Sequence, residues 1–333
     1  MDQVLQSRLI SGPGHARDHL EIALAETTSR EQGVAANSGT TALEIALRVV
    51  GVEGRDVAVP AFGCMSIQRA VRRAGATPRL LDIDPEDLAV PAPLLVDAAA
   101  SCAAVVLVHQ FGIPTDSVEA VPGLAVPVIE DLTTTIGTRI DEAPVGSFGT
   151  MGVVSLGATK MICAGEGGAI VGDAGAMARA RRWTDPESDL PPEQPVPGAK
   201  LSNLAAAMGL AQLGRLEAFL AARREVAAIY DQEIGPLCRS VKRPKAGIEG
   251  TWWRYLVELA DGASASNAVA FSRSLGVGLS RPVVDSHLQL TPALKVARHM
   301  AESLVSVPIY PSLTEGEVEQ VVEVTAKALK RFG

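Results

Sequence analysis

Residues 126–131, Val-Pro-Val-Ile-Glu-Asp, and residues 151–160, Met-Gly-Val-Val-Ser-Leu-Gly-Ala-Thr-Lys, decide the fold. Each is an apolar run too short for a helix, and continuous rather than alternating in polarity. That is the pattern of a strand buried on both faces of a sheet. Upstream, Ala103–Val108 repeats the type, and Val57–Pro60 and Arg79–Asp82 read as further short strands. Between them lie segments of helical spacing. Thr41–Val50 is stopped by Gly51, and Ile67–Ala74 ends at Gly75. Strands alternating with helices predict a largely parallel sheet covered by helices, an α/β fold.

The C-terminal third reads differently. Pro186–Pro197 is rich in proline and acidic residues and is expected to be an exposed loop. One long helix is expected over about Leu201–Tyr230, with Leu204, Met208, Ala211 and Leu213 as its apolar positions. After Cys238 the pattern is that of a smaller α+β unit, with a strand over Trp252–Leu259. Trp252 and Trp253 are expected in its core. A last helix is introduced by Thr314 and Glu317 at capping-box spacing. A boundary near residue 215 divides the chain into a large domain, 1–215, and a small one, 216–333.

Composition narrows the function. The chain has 333 residues, a formal net charge of -8 and a sequence pI near 5.3, without the basic stripe of a nucleic-acid binder. The four cysteines are far apart and form no CxxC, so neither a zinc site nor a redox dithiol is expected. Reduced thiols suit a cytoplasmic protein. The first fifteen residues lack the layout of a signal peptide, and the uncharged stretch Ala98–Thr115 contains His, Gln, Gly and Pro, so no membrane span is expected.

Three elements can carry chemistry. Asn37-Ser38-Gly39-Thr40-Thr41 precedes a helix, where free amides, a positive helix end and threonine hydroxyls suit an anion; the plain alternative is a helix cap. It is no Walker loop, and no GxGxxG occurs. Asp131 ends a strand, where parallel sheets bind ligands and where a carboxylate can hold a protonated ring nitrogen. Lys160 follows small residues, which suits a lysine of lowered pKa that acts as a nucleophile. Taken singly, such a carboxylate is ordinarily a loop residue, and such a lysine a solvated charge. Their order, each after a successive strand of one sheet, sets them apart. His109 is expected to be a structural histidine, and Glu166-Gly167-Gly168 to turn the chain sharply.

With these residues in view, the sequence resembles the DegT/DnrJ/EryC1/StrS family of aminotransferases. The resemblance runs through NSGTTALEIAL, VAVPAFGCMSIQRAVRRAGATPRLLDID, VVLVHQFGIP, VIEDLTTTIG, VGSFGTMGVVSLGATK and GEGGAIV, and later through LAAAMGLAQLGRLEAFLAARREVAAIYD and VPIYPSLTEGEVEQVV. It implies a fold-type I enzyme dependent on pyridoxal 5'-phosphate (PLP), with a mostly parallel seven-stranded sheet in the large domain. It further implies Lys160 as the Schiff-base lysine and Asp131 as the partner of the pyridinium nitrogen. Gly39, Thr40, Thr41 and Ser155 would lie at the phosphate. The implied assembly is a homodimer with its site at the interface. The implied reaction moves an amino group, from Glu or Gln, to a keto-sugar or cyclitol-like small molecule.

Departures from the family pattern bear on the substrate. Cys64 stands where an aromatic residue often stacks on the cofactor ring. Thr134 stands where Gln or His approaches the phenolic oxygen. Gly198-Ala199-Lys200 replaces Asn-Tyr-Arg of the neighbouring subunit, with Lys200 a partial substitute for its phosphate contact. His287 falls in a substrate-contacting region. Two alternatives stay open: elimination, replacement or another amino-acid reaction on the same scaffold, and a PLP-binding protein without turnover.

Overall fold

The computed structural model describes residues 2–11, 14–185, 189, 191, 198–283 and 293–333. His287 and most of the Pro186–Pro197 segment therefore lie outside the described residues.

The chain opens with helices α1 (Asp2–Ser7) and α2 (His15–Thr27), then β1 (Gln32–Ala36) and α3 (Gly39–Val49). There follow β2 (Asp56–Pro60), α4 (Met65–Arg73), β3 (Thr77–Leu81), α5 (Ala92–Ala99), β4 (Ala104–Val108) and β5 (Val128–Asp131). After a small hairpin, β6 (Arg139–Ile140) and β7 (Ala143–Pro144), come β8 (Met151–Ser155), β9 (Gly168–Gly172) and α6 (Ala174–Thr184). The remainder is α7 (Asn203–Leu213), α8 (Leu216–Glu233), β10 (Ser240–Val241), β11 (Tyr255–Glu258), α9 (Gly262–Ser274), α10 (Lys295–Ser303), β12 (Leu304–Val307) and α11 (Glu315–Phe332).

Seven strands form the main sheet in the order β1-β9-β8-β5-β4-β2-β3. Six share one direction and β9 alone runs against them. The mostly parallel α/β sheet expected from the sequence is thus present. Its strands are apolar because both faces are covered. In β4, Val105 and Leu107 face a core shared with Leu20, Leu24, Leu95 and Leu220. Ala104, Val106 and Val108 face the other core, with Ile45, Leu47 and Val71 from α3 and α4. The period of two along the strand places successive side chains on opposite faces. The strand after Pro127 extends through Asp131, so that carboxylate belongs to the strand end itself, buried, and not to a loop.

Residues 201–230 are not one helix. α7 and α8 meet at a bend of 54°. Gly214, the poorest helix former after proline, caps α7, and Arg215 begins α8 outside helical geometry. The buried face of α7 is Asn203, Ala206 and Gly209, not the larger apolar positions. Small residues there let α7 approach α2 closely, and Met208 and Ala211 are left exposed. No single helix among the described residues is long and apolar enough to cross a membrane.

A three-stranded sheet, β10-β11-β12, carries α9, α10 and α11. α8 serves both cores: Leu216 and Leu220 pack under the main sheet, while Val226, Ala227 and Tyr230 enter the core of the small one. The capping box at Thr314 and Glu317 is formed. The strand expected over Trp252–Leu259 is confined to β11, because Trp252 has a positive φ of 50° and breaks the extended run.

Candidate active site

The register of the sheet gathers the site at one edge. β1, β5 and β8 all end there, and β9 starts there. Gly168 is opposite both Ala36 and Ser155, and Asp131 is opposite Val153, two residues before Ser155. The start of α3, Ser155 and Asp131 are thereby brought to neighbouring strand ends, as a ligand crevice of an α/β sheet requires.

The first turn of α3 is prepared for an anion. Ser38 caps the helix by accepting from the Thr41 amide, 3.1 Å, and its hydroxyl meets that of Thr41 at 2.9 Å. The amides of Gly39 and Thr40 lack intrahelical acceptors, as helix N-termini do, and stay available with the Thr40 hydroxyl. Thr41 is buried, and its hydroxyl shares one hydrogen bond with that of Ser38. The backbone lies so close here that a Cβ on Gly39 would come within 2.7 Å of Ser155 Cβ. One on Gly168 would come within 2.5 Å of the Ser38 carbonyl. Only glycine permits the Ser155 hydroxyl and the helix end to converge. The expected turn at Glu166-Gly167-Gly168 delivers this: Leu156 donates its amide to Gly167 O at 2.9 Å, folding β9 back on β8.

Asp131 accepts from the Thr133 amide at 3.0 Å through Oδ1. It is 6% exposed and has no ion-pair partner among the described residues. Its neighbour Glu130 is fully buried and heavily bonded, accepting from His109 at 3.0 Å and from the amides of Gly146, Phe148 and Gly149. His109 Nδ1 accepts from the Thr115 amide, so its proton lies on Nε2 and is donated to Glu130. His109 is thus the satisfied structural histidine expected. Burial alone would raise the Glu130 pKa, but the bond from His109 and the Gly146 and Gly149 amides prevail and hold it below the ordinary value of 4.5.

A depressed carboxylate pKa adds stability above the unfolded-state value, and that stability is lost as pH falls through the folded value. Glu130→Gln is therefore expected to cost about 3–5 kcal/mol at neutral pH, as breaking a buried charged network does. The deficit against wild type should persist down to pH 4.5 and shrink below it, read by denaturant melts across pH. A deficit independent of pH would show that the charge of Glu130 contributes nothing.

Lys160 follows β8, and its Nζ lies 4.8 Å from the centroid of the Trp253 ring. Burial lowers its pKa from 10.5, with Asp131 and Cys64 acting in the opposite sense and Arg254 in the same. Trp253 Nε1 donates to Thr159 O at 2.7 Å, and its ring stacks near Phe111 at 6.3 Å. Trp253 therefore belongs to the site and not to the small-domain core, where only Trp252 packs, stacked on Tyr255. Cys64 is exposed at the start of α4 and is no core residue. Thr134 is buried, donates to His109 O and accepts from the Gly112 amide, so its hydroxyl braces the loop after β4 and has no proton left for a ligand. Lys200 pairs with Asp185 of its own chain at 2.8 Å.

An amine of lowered pKa, a buried carboxylate without a cation and an anion cradle share one edge. The DegT/DnrJ/EryC1/StrS aminotransferase family profile matches residues 1–325. The chain belongs to that family. Among similar proteins is the GDP-perosamine synthase of Caulobacter vibrioides, 29% identical, with 96% of this chain and 92% of the relative covered. The aminotransferase TlmJ of Streptoalloteichus hindustanus superposes with a TM-score of 0.90 at 25% identity, covering 99% and 94% of the two chains. Spr1654 of Streptococcus pneumoniae in its PLP form shares the fold, with a TM-score of 0.89, 20% identity and coverage of 100% and 95%. Membership of an aminotransferase family makes the chain a transferase of amino groups.

Proposed function

We propose that the chain is a PLP-dependent aminotransferase that moves an amino group from glutamate or glutamine to the ketone of a nucleotide-linked sugar. The observation that carries the reading is the half-buried amine of Lys160, coupled electrostatically to the buried carboxylate of Asp131, which has no ion-pair partner among the described residues. The residues present fit the cofactor: Asp131 has no ion-pair partner among the described residues and a pyridinium would supply one, and the missing Cβ of Gly39 lets the Ser155 hydroxyl approach the free amides of α3. When bound, PLP supplies a carbonyl that condenses with amines and a protonated ring that withdraws electrons. Gly39, Thr40 and Ser155 would hold the phosphate, Asp131 would keep the ring-nitrogen proton, and Lys160 would hold the cofactor covalently. Released from it, Lys160 is a base of lowered pKa that removes and returns a proton at the substrate carbon. The name of the Caulobacter relative supports a nucleotide-linked sugar as acceptor.

The division into a PLP-binding domain, 1–215, and a small domain, 216–333, belongs to the same proposal, as does a cytoplasmic homodimer. Exposed Leu5, Leu9, Ile10 and Met208, on and beside the contacting helices α1 and α7, support a second copy.

The test is a single turnover with glutamate, glutamine and alanine, assayed for keto acid and for ammonia or carbon dioxide. One keto acid per site, with the cofactor recovered in its amine form, is expected. Ammonia or carbon dioxide with the cofactor carbonyl restored would turn the reading to elimination or another amino-acid reaction. Gly39→Ala, whose Cβ would push the Ser155 hydroxyl away, is expected to weaken PLP binding about 10- to 150-fold, the worth of one hydrogen bond to a charged group, with turnover restored at high PLP. Equilibrium dialysis reads it, and unchanged affinity would place the phosphate elsewhere.

A further inference from the structure

A cavity of about 730 Å³ opens beside Lys160, between α8, the Trp253–Arg254 segment and residues 306–312. Lys160, Arg215, Arg223 and Arg254 line it, and no aspartate or glutamate does, although the chain as a whole carries a net charge of -8. Among the described residues none of the three guanidiniums forms an ion pair with a carboxylate. Four cations around one cavity repel one another, and a bound anion removes that cost.

The arginines differ in what they have free. Arg223 is buried and directs Nη1 at the carbonyls of Trp252, Trp253 and Ile309, so it ties α8 to the small sheet. Arg215 stands exposed at the bend between α7 and α8, over Phe219. Among the described residues Arg254 has one acceptor, Ser306 Oγ at 3.1 Å, and its guanidinium lies 4.7 Å from the centroid of the indole that Lys160 also faces. A guanidinium is planar, always charged and suited to grip a carboxylate through two parallel bonds.

Resting on the aminotransferase reading, we propose that Arg254, oriented by Ser306 and Trp253, is the residue that binds the α-carboxylate of the amino donor. The reason is reach. The nitrogen and the carboxyl carbon of an amino acid are both bonded to Cα and lie only about 2.5 Å apart. A donor whose nitrogen reacts at the position of Lys160 thus presents its carboxylate next to it, where Arg254 is. The diphosphate of a sugar nucleotide is separated from the ketone by several ring bonds and suits the outer part of the cavity, towards Arg215.

The test uses the holoenzyme and two non-reacting probes, glutarate and GDP, titrated by calorimetry, together with the glutamate dependence of single-turnover keto-acid release. Arg254→Gln is expected to weaken glutarate binding about 10- to 150-fold, the range for a hydrogen bond to a charged group, and to raise the half-saturating glutamate concentration by a similar factor. Arg254→Lys should recover part of the loss, and Arg215→Gln should change glutarate affinity by much less. Circular dichroism and borohydride fixation at Lys160 establish that each variant is folded and loaded. The proposal is overturned if wild type fails to bind glutarate, or if Arg254→Gln binds it within twofold of wild type. It is also overturned if that variant loses affinity for GDP and not glutarate, or if Arg254→Lys, loaded with cofactor, recovers nothing. A wild type that releases no keto acid from glutamate, glutamine or alanine sinks the aminotransferase reading itself, a result distinct from these.

Discussion

Replacing Lys160 by alanine is expected to give a folded protein that no longer retains PLP covalently and whose turnover falls by at least about 10³-fold. Proton transfer by a placed side chain is worth on the order of 10²–10⁴-fold, and Lys160 also provides the covalent hold. The fold should tolerate the change, because the side chain makes no hydrogen bond or ion pair among the described residues and only faces the Trp253 ring. Burial lowers the lysine pKa, so the folded chain holds this proton less tightly than the unfolded one. For a base of lowered pKa, the charge opposes folding in full below the folded value, and the opposition fades as pH rises from there to the unfolded value of 10.5. At neutral pH the PLP-free variant should therefore melt no lower than the PLP-free wild type. A clear loss of melting temperature, or turnover within tenfold of wild type, would remove Lys160 from the centre of the chemistry.

Asp131→Asn is the second large effect. The amide is isosteric and can still accept from the Thr133 amide, so the end of β5 should keep its shape. What it cannot do is hold a proton on a ring nitrogen by charge. A hydrogen bond to a charged group is worth about 1.5–3 kcal/mol, which corresponds to a turnover loss of about 10- to 150-fold, with cofactor still fixed at Lys160. Steady-state rates at saturating PLP read it, and a rate within twofold of wild type would show that Asp131 has another role. The two variants separate a lost covalent hold from a lost charge on the same sheet edge.

The sheet was legible because buried parallel strands are continuous apolar runs, and Val126–Ile129 and Met151–Val154 have few other places to go. Asp131 and Lys160 were legible through order, each following one of those runs. The open helix end at α3 was legible in outline through Gly39, although the sequence could not show that the Thr41 hydroxyl meets that of Ser38. The bracing role of Thr134 was not legible for a like reason: hydrogen bonds to His109 and Gly112 are tertiary and leave no mark on local spacing.

Trp253 and Arg254 escaped because their role depends on how the segment before β11 is set against β8. A Trp-Trp-Arg string reads equally well as the entry to a core strand. The positive φ of Trp252 is what turns the two tryptophans to different surroundings, and no propensity announces it for that residue. The bend between α7 and α8 was foreshadowed by Gly214, but a single glycine in a helical pattern is often tolerated. Most of the Pro186–Pro197 expectation and that for His287 concern residues outside those described.

The most direct test of the central claim is to treat the PLP-loaded protein with borohydride, digest it and find the peptide that carries the fixed cofactor. The predicted result is one modified residue, Lys160, in the peptide that continues from Val153-Val154-Ser155-Leu156. Fixation at Lys200 or another lysine, or a protein that takes up no PLP at all, would contradict it.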